Sequence, residues 1–336
     1  MLSFERESNR IVIAGASSLL GAELKSLLEE SKFAGWDFRL VDEELAAGTL
    51  TAAGGEPAVI QPVEEGSFEK ARLVFFAGSP EFVERNFKDA LAAGALVIDF
   101  TGKVRTKERG VNLWFLRLNE LRGTPFTSKA EYFWIPSAPA IAAVSLSLAL
   151  TQLGLKGMSI TFLRPVSESG RAGIEELETQ TGQLLSLQSA GQPVFDTQVA
   201  FALADRFGAL SREKLSASES RVREELLKCV WGFGLRPAVR VLHAPVFYGY
   251  TFSASAELDA SATLEQVSSA CAAAGFTMAE KGAVVSNLTA AGERSIHLSE
   301  PETDPSQEGS WWFWGAADNI RLPAWNAVKL AEKLVS

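Results

Sequence analysis

The sequence predicts an α/β protein: a doubly wound parallel sheet followed by a second, mixed α+β domain. Three observations predict it. An apolar pentapeptide at residues 10–14 runs into a glycine-bearing turn and then a helix. Strand-like and helix-like segments alternate from there to residue 99. Beyond about residue 156 that alternation is lost, and the chain closes on an amphipathic helix.

Each element has its own signal. RIVIA (10–14) is a short apolar run of strand character, and Leu20, Leu24, Leu27 and Leu28 of the following segment share one helical face. A second strand, Phe38 to Val41, ends in the acidic run Asp42, Glu43, Glu44. LVFFAG (73–78) reads as a strand ending in a glycine turn, 81–93 as a helix and ALVID (95–99) as another strand. Residues 141–153 read as a helix leaving this domain. In the second half, 159–167 reads as a strand, 173–185 and 218–233 as helices, 239–258 as one or two strands and 263–274 as a helix. PAWNAVKLAEKLVS (323–336) carries proline near its first turn and the polarity of a covering helix.

A chain of 336 residues exceeds what one hydrophobic core serves. The expected division is 1–136, completed by a C-terminal helix at 318–336, and 137–317. Hydrophobic content of 47% and charged content of 22% are those of a soluble globular protein. A net charge of −9 gives no electrostatic footprint for nucleic acid or an anionic membrane. The N-terminus MLSFERESNR lacks the apolar core of a signal peptide, and the apolar stretch 141–150 is too short to span a bilayer. A cytoplasmic address is therefore expected. Cys229 and Cys271 have no metal-ligand spacing, and His243 and His297 are the only histidines, so no metal site is expected.

The first turn is a candidate dinucleotide site. A strand, a glycine turn and a helix N-terminus present backbone N–H groups to a pyrophosphate. Gly15 and Gly21 bracket this turn, with Ser17 and Ser18 inside it and Gly78 after a later strand. Asp42, ending the second strand, suits ribose hydroxyls and repels a 2′-phosphate, which favours NAD over NADP if either binds. The alternatives are a turn whose glycines serve sterics alone and an acidic run that is a solvated loop.

The motifs in order resemble those of the aspartate-semialdehyde dehydrogenase family, over nearly the whole chain. IVIAGASSLLG (11–21) is similar to that family's opening turn. LVFFAGSP and LVIDFTGKVR (96–105) resemble its next cofactor and substrate segments. SESGRAGIEELETQT (167–181) and ADNIRLPAWNAVKLAE (317–332) are the most specific matches. The resemblance implies a Rossmann-type domain, an α+β dimerisation domain and a homodimer. It also implies a thiolate attacking an aldehyde, hydride transfer to NADP, a histidine acid–base group, and arginines holding substrate carboxylate and phosphate.

Residue by residue, the resemblance implies a replaced site. The family cysteine falls on Ser137 or Ala138, depending on which flank anchors the comparison. Its glutamine falls on Arg164, its histidine on Tyr250 and its substrate arginine on His243. The second glycine of its turn becomes Ser18, and the serine and arginine that grip the 2′-phosphate fall near Glu43 and Leu45. Arg105 keeps the phosphate-binding arginine. Ser137 is then either a nucleophile needing a base or a turn serine between two prolines. Arg164 marks a small anionic ligand or an ion pair with a neighbour such as Glu168. Both cysteines read as core, and Trp311-Trp312-Phe313-Trp314 as core or dimer interface. The expected function is a catalytically degenerate, dimeric member of the family that retains nucleotide or anion binding. An NAD-dependent oxidoreductase with altered residues and a non-catalytic interaction subunit are the alternatives.

Overall fold

The computed structural model describes residues 8–46, 48–53, 56–102, 112–127 and 130–336. It contains two compact units. One comprises Met1–Leu116, Pro125–Pro136 and Pro323–Ser336; the other comprises Arg117–Thr124 and Ser137–Leu322.

The first unit holds a seven-stranded parallel sheet. Its elements are β1 (Arg10–Ala14), α1 (Leu19–Glu29), β2 (Asp37–Asp42), the hairpin β3 (Leu50–Ala53) and β4 (Glu56–Val59), β5 (Gln61–Pro62), β6 (Ala71–Phe76), α2 (Pro80–Ala92), β7 (Leu96–Asp99), β8 (Asn112–Leu113) and β9 (Tyr132–Trp134). The strand order is β5-β2-β1-β6-β7-β9-β8, and every pairing is parallel. Successive residues on a strand face opposite sides of the sheet, so a doubly wound sheet needs both faces apolar. Ile11, Ile13, Leu73, Phe75 and Ile98 pack with Leu24, Leu27 and Leu28 of α1 and with Ala324, Ala327 and Val328 of the C-terminal helix. Val12, Ala14, Val74, Phe76 and Val97 pack on the other side with Phe82, Val83 and Ala90 of α2. The continuous apolar runs in the sequence are the signature of this double burial.

The second unit contains α3 (Leu118–Arg122), α4 (Ala138–Thr151), β10 (Gly157–Arg164), α5 (Gly170–Leu185), α6 (Leu215–Cys229), β11 (Ala238–His243), β12 (Tyr250–Glu257), α7 (Leu264–Ala273), β13 (Phe276–Met278), α8 (Asn287–Ala290), β14 (Ile296–Leu298), β15 (Glu302–Thr303) and β16 (Ser310–Ala317). The chain ends in α9 (Arg321–Leu334). The sheet runs β11-β10-β12-β16-β14-β13, with β15 added on β16. Residues 239–258 resolve into two strands on opposite sides of β10, parallel for β11 and antiparallel for β12. α4 is buried along nearly its whole length, as a helix apolar on every side must be. The aromatic run in β16 divides by strand period: Trp311 and Phe313 are buried, whereas Trp312 and Trp314 are 45% and 39% exposed.

Candidate functional site

The turn after β1 is closed by its own residues. Gly15 has φ +92°, and a Cβ there would lie 2.2 Å from the Gly78 nitrogen, so both residues serve a close backbone approach. A Cβ on Gly21 would meet the Gly15 carbonyl at 2.3 Å. Ser18 is the N-cap of α1: its Oγ accepts the Gly21 N–H at 2.9 Å and lies 2.9 Å from the Ala77 carbonyl. The N–H groups of Gly15 and Ala16 donate to the Val41 carbonyl. Gly15, Ser17, Ser18, Gly21, Asp42 and Gly78 therefore converge on one turn.

Asp42 is buried rather than solvated. One carboxylate oxygen accepts the Ser17 N–H at 2.7 Å, and the other accepts the Glu43 N–H at 2.8 Å. An internal anion thus occupies part of the donor set that a pyrophosphate would use. Helix geometry leaves the Leu19 and Leu20 N–H groups for an external anion. Beside Asp42 opens a cleft of about 500 Å³, lined by Glu43, Glu44, Glu64, Val63, Phe82, Arg85 and Asn86 among others. Arg85 is paired with Glu43 at 2.7 Å. A carboxylate oxygen retains acceptor capacity after one hydrogen bond, so Asp42 can still accept from a hydroxyl group beside this cleft. Arg105 and the side chain of Leu45 lie outside the described residues.

Asp99, at the end of β7, organises the neighbouring loop. It accepts from the Thr101 and Gly102 N–H groups and from the Tyr132 hydroxyl at 2.7 Å. Burial pushes its carboxyl above the ordinary range, and these hydrogen bonds oppose that shift.

In the second unit, Ser137 is the N-cap residue of α4 and is partly exposed, whereas Ala138 is buried in the first turn. The Ser137 hydroxyl donates to Glu225 of α6, and the Ser137 N–H donates to the same carboxylate oxygen at 3.0 Å. Glu225 is fully buried, and its other oxygen accepts from Arg221 at 2.8 Å. Nothing in the sequence marked Glu225. It stands 88 residues from Ser137 among other charged residues of a helix, and only the packing of α4 on α6 brings the two together.

Arg164 and His243 are register partners at the ends of β10 and β11. Arg164 is 2% exposed, and its ion pair is with Glu213 at 2.9 Å, not with Glu168. Burial pushes the His243 imidazole below its ordinary value, and the Arg164 charge adds to this. Tyr250 opens β12 and is buried, with its ring edge-on to Phe162. Burial pushes its hydroxyl well above the ordinary tyrosine value; Glu168 and Glu225 raise it further, and Arg164 and Arg221 oppose them. Tyr250 thus lies within electrostatic reach of both the Arg164 and the Glu225 clusters.

The two most specific sequence motifs turn out to hold one joint. Asn319 accepts the Gly249 N–H at 2.9 Å and donates to Glu168 at 3.0 Å and Ser167 at 3.1 Å. Asp318 accepts the N–H groups of Ile320 and Arg321 at 2.8 Å, capping α9, and that of Gly292. Cys229 and Cys271 are buried, and burial pushes both thiols up, Cys271 to about 12. Among the described residues no group of three or more potential ligands could hold a metal, and no helix is long and apolar enough to cross a membrane.

Residues 10–141 match the family model described as the semialdehyde dehydrogenase NAD binding domain, and residues 147–322 match the semialdehyde dehydrogenase dimerisation domain. The chain belongs to the semialdehyde dehydrogenase family. It is 29% identical to a USG-1 protein homolog of Azotobacter vinelandii and 26% identical to an aspartate-semialdehyde dehydrogenase of Rickettsia bellii, each over 97% of both chains. Its fold matches the structure of a probable aspartate-semialdehyde dehydrogenase from Pseudomonas aeruginosa with a TM-score of 0.86, at 25% identity, over 98% of this chain and 99% of that one. The parallel sheet and the mixed sheet are those of semialdehyde dehydrogenases. At the start of α4 the chain presents a serine hydroxyl held by a buried carboxylate, and both cysteines lie in the core.

Proposed function

We propose that this chain is a family member that no longer oxidises a semialdehyde, and acts instead as a dimeric binding protein for a small anion and a nicotinamide nucleotide. One observation carries the reading: the residue at the start of α4 is Ser137, its hydroxyl donates to a buried carboxylate, and both cysteines of the chain are in the core. A thiolate is an effective acyl carrier near neutral pH, whereas a serine hydroxyl needs a base with a pKa suited to removing its proton. Tyr250 is buried and its proton is held tightly, so it is a poor proton donor for hydride chemistry as well. His243 is neutral and buried, with Nε2 directed at the Val199 carbonyl.

Asp42 and the acidic cleft support NAD as the preferred nucleotide, since a 2′-phosphate would meet Glu43, Glu44 and Glu64. The exposed Trp312 and Trp314 on the second sheet support a homodimer formed through that face. A cytoplasmic location completes the reading. The test is NADP or NAD reduction by the purified chain with aspartate semialdehyde and phosphate. No turnover is expected at any nucleotide concentration, and measurable phosphate-dependent oxidation overturns the proposal.

A further inference from the structure

One side chain in the cleft beside Asp42 has hydrogen-bonding atoms to spare. The cleft, about 500 Å³ in volume, lies within the range of small-molecule sites. Its walls come from two places. Asp42, Glu43, Pro62 and Val63 lie at the ends of β2 and β5 and just after them, and Phe82, Arg85 and Asn86 lie on α2. The Arg85–Glu43 ion pair at 2.7 Å joins the two walls. Asn86 is half-buried, and its Nδ2 donates to the Phe82 carbonyl one turn earlier at 2.8 Å. That bond fixes which way the amide faces, since a carbonyl accepts only from the nitrogen end. It uses one of the two N–H bonds of the amide. The second N–H and the Oδ1 acceptor have no hydrogen-bond partner among the described residues.

An amide with an acceptor beside a donor complements one edge of adenine, where the exocyclic amine donates next to a ring nitrogen that accepts. Hypoxanthine carries a carbonyl in place of that amine and would set an acceptor against Oδ1. Among the side chains lining the cleft, the carboxylates only accept and Arg85 only donates; Asn86 alone offers both. Pro62, Val63 and Phe82 supply apolar surface for a flat base, and a guanidinium such as that of Arg85 stacks on aromatic rings. Asp42 is itself a lining residue, so a ribose held by its carboxylate carries its base into this space. We propose that Asn86 sets the base specificity of the nucleotide site, with Oδ1 accepting from the adenine amine and Nδ2 donating to the neighbouring ring nitrogen. This role rests on the nucleotide-binding reading above and names the residue that reads the base.

The test is calorimetric titration of the full chain with NAD and with its hypoxanthine analogue, deamino-NAD. NAD should bind at least about fivefold more tightly, the lower end of what one amide–base pair contributes. Alanine is the best helix former, so Asn86→Ala at this helix position should leave the fold intact. The variant should weaken NAD by the same factor, leave deamino-NAD unchanged and so erase the preference. Equal affinity of the parent chain for the two dinucleotides, tighter binding of deamino-NAD, or a preference that survives Asn86→Ala overturns the role of Asn86 and leaves nucleotide binding standing. Binding of neither dinucleotide by the parent chain overturns the nucleotide reading and the role of Asn86 together.

Discussion

The hydroxyl of Ser137 donates to the carboxylate of Glu225, a fully buried acid that also accepts the Ser137 N–H at 3.0 Å and the Arg221 guanidinium at 2.8 Å. Glu225 thereby places a negative charge at the N-terminus of α4, where a helix dipole and unpaired N–H groups stabilise an anion. Asp42 stands in a similar relation to the turn before α1, through the Ser17 N–H. In each unit, an internal carboxylate occupies donors at the helix start that could serve a ligand.

Glu225→Ala should destabilise the protein by about 2 kcal/mol. Breaking a fully buried pair costs about 3–5 kcal/mol, and the Arg221 side chain is 42% exposed, so water compensates part of its loss. Urea unfolding measures the change. A midpoint within error of the parent chain would mean that the Glu225 contacts contribute nothing net.

Ser137→Cys places a thiol at the start of α4 and should not produce semialdehyde oxidation. The sulfur would face the Glu225 carboxylate, and a nearby negative charge disfavours the thiolate. Iodoacetamide should therefore alkylate Cys at this position more slowly at pH 7 than a free cysteine. Rapid alkylation together with NADP reduction would show that the thiol alone was missing.

The fold was legible because burial on both sheet faces leaves apolar runs, and because glycine at φ +92° leaves a mark in the turn. The candidate residues could be named from the sequence, but the partners their side chains meet could not. Glu225, Glu213 and Val199 are joined to Ser137, Arg164 and His243 by packing across tens of residues, and their types are those of any charged or apolar segment. The Asp42–Glu44 run illustrates the limit in one tripeptide: read by composition it is a solvated loop, yet Asp42 is 6% exposed and bonded to the turn. The hairpin β3–β4 and the short strand β15 fell below what periodicity detects.

His243 should make the protein acid-sensitive in a defined window. Burial lowers its folded pKa below the ordinary 6.5, so the unfolded chain binds the proton more readily. The stability it contributes is complete above about pH 6.5 and is lost as the pH falls from there through the depressed folded value. Asp99 has the opposite sign: its raised folded pKa contributes stability that is present below 3.8 and lost as the pH rises through that raised value. His243→Gln should flatten the first slope alone, and Asp99→Asn the second, in urea unfolding from pH 4 to 7. A His243→Gln profile parallel to that of the parent chain would refute the assignment.

Glu43→Gln should move nucleotide preference toward NADP. The substitution removes one acidic side chain from the cleft and releases Arg85 from its ion pair. A freed guanidinium is well suited to a 2′-phosphate. The parent chain should bind NAD at least tenfold more tightly than NADP, and the variant should narrow that ratio about tenfold. Titration with NAD, NADH, NADP and NADPH reads both. No binding of any of the four by the parent chain would remove the nucleotide from the proposed function and leave the anion site standing by itself.

Trp314→Glu should convert a dimer into monomers. On the outward face of the second sheet, Trp312 and Trp314 stand opposite Ser255 and Ser253 of β12. Ser253 and Ser255 in turn pair with Thr161 and Ser159 of β10, so large rings rise from a surface of small side chains. Each indole N–H is already satisfied, Trp312 by Asp304 at 2.9 Å and Trp314 by the Val285 carbonyl at 2.8 Å, which leaves apolar ring surface to be covered. Sedimentation equilibrium should give twice the chain mass of 36.2 kDa for the parent protein. The glutamate would bury an unpaired charge at the contact, a cost of several kcal/mol, and the variant should sediment as a monomer at micromolar concentration with unchanged far-ultraviolet dichroism. A monomeric parent chain would remove this face as an interface, and a variant that stays dimeric would move the interface elsewhere on the second unit.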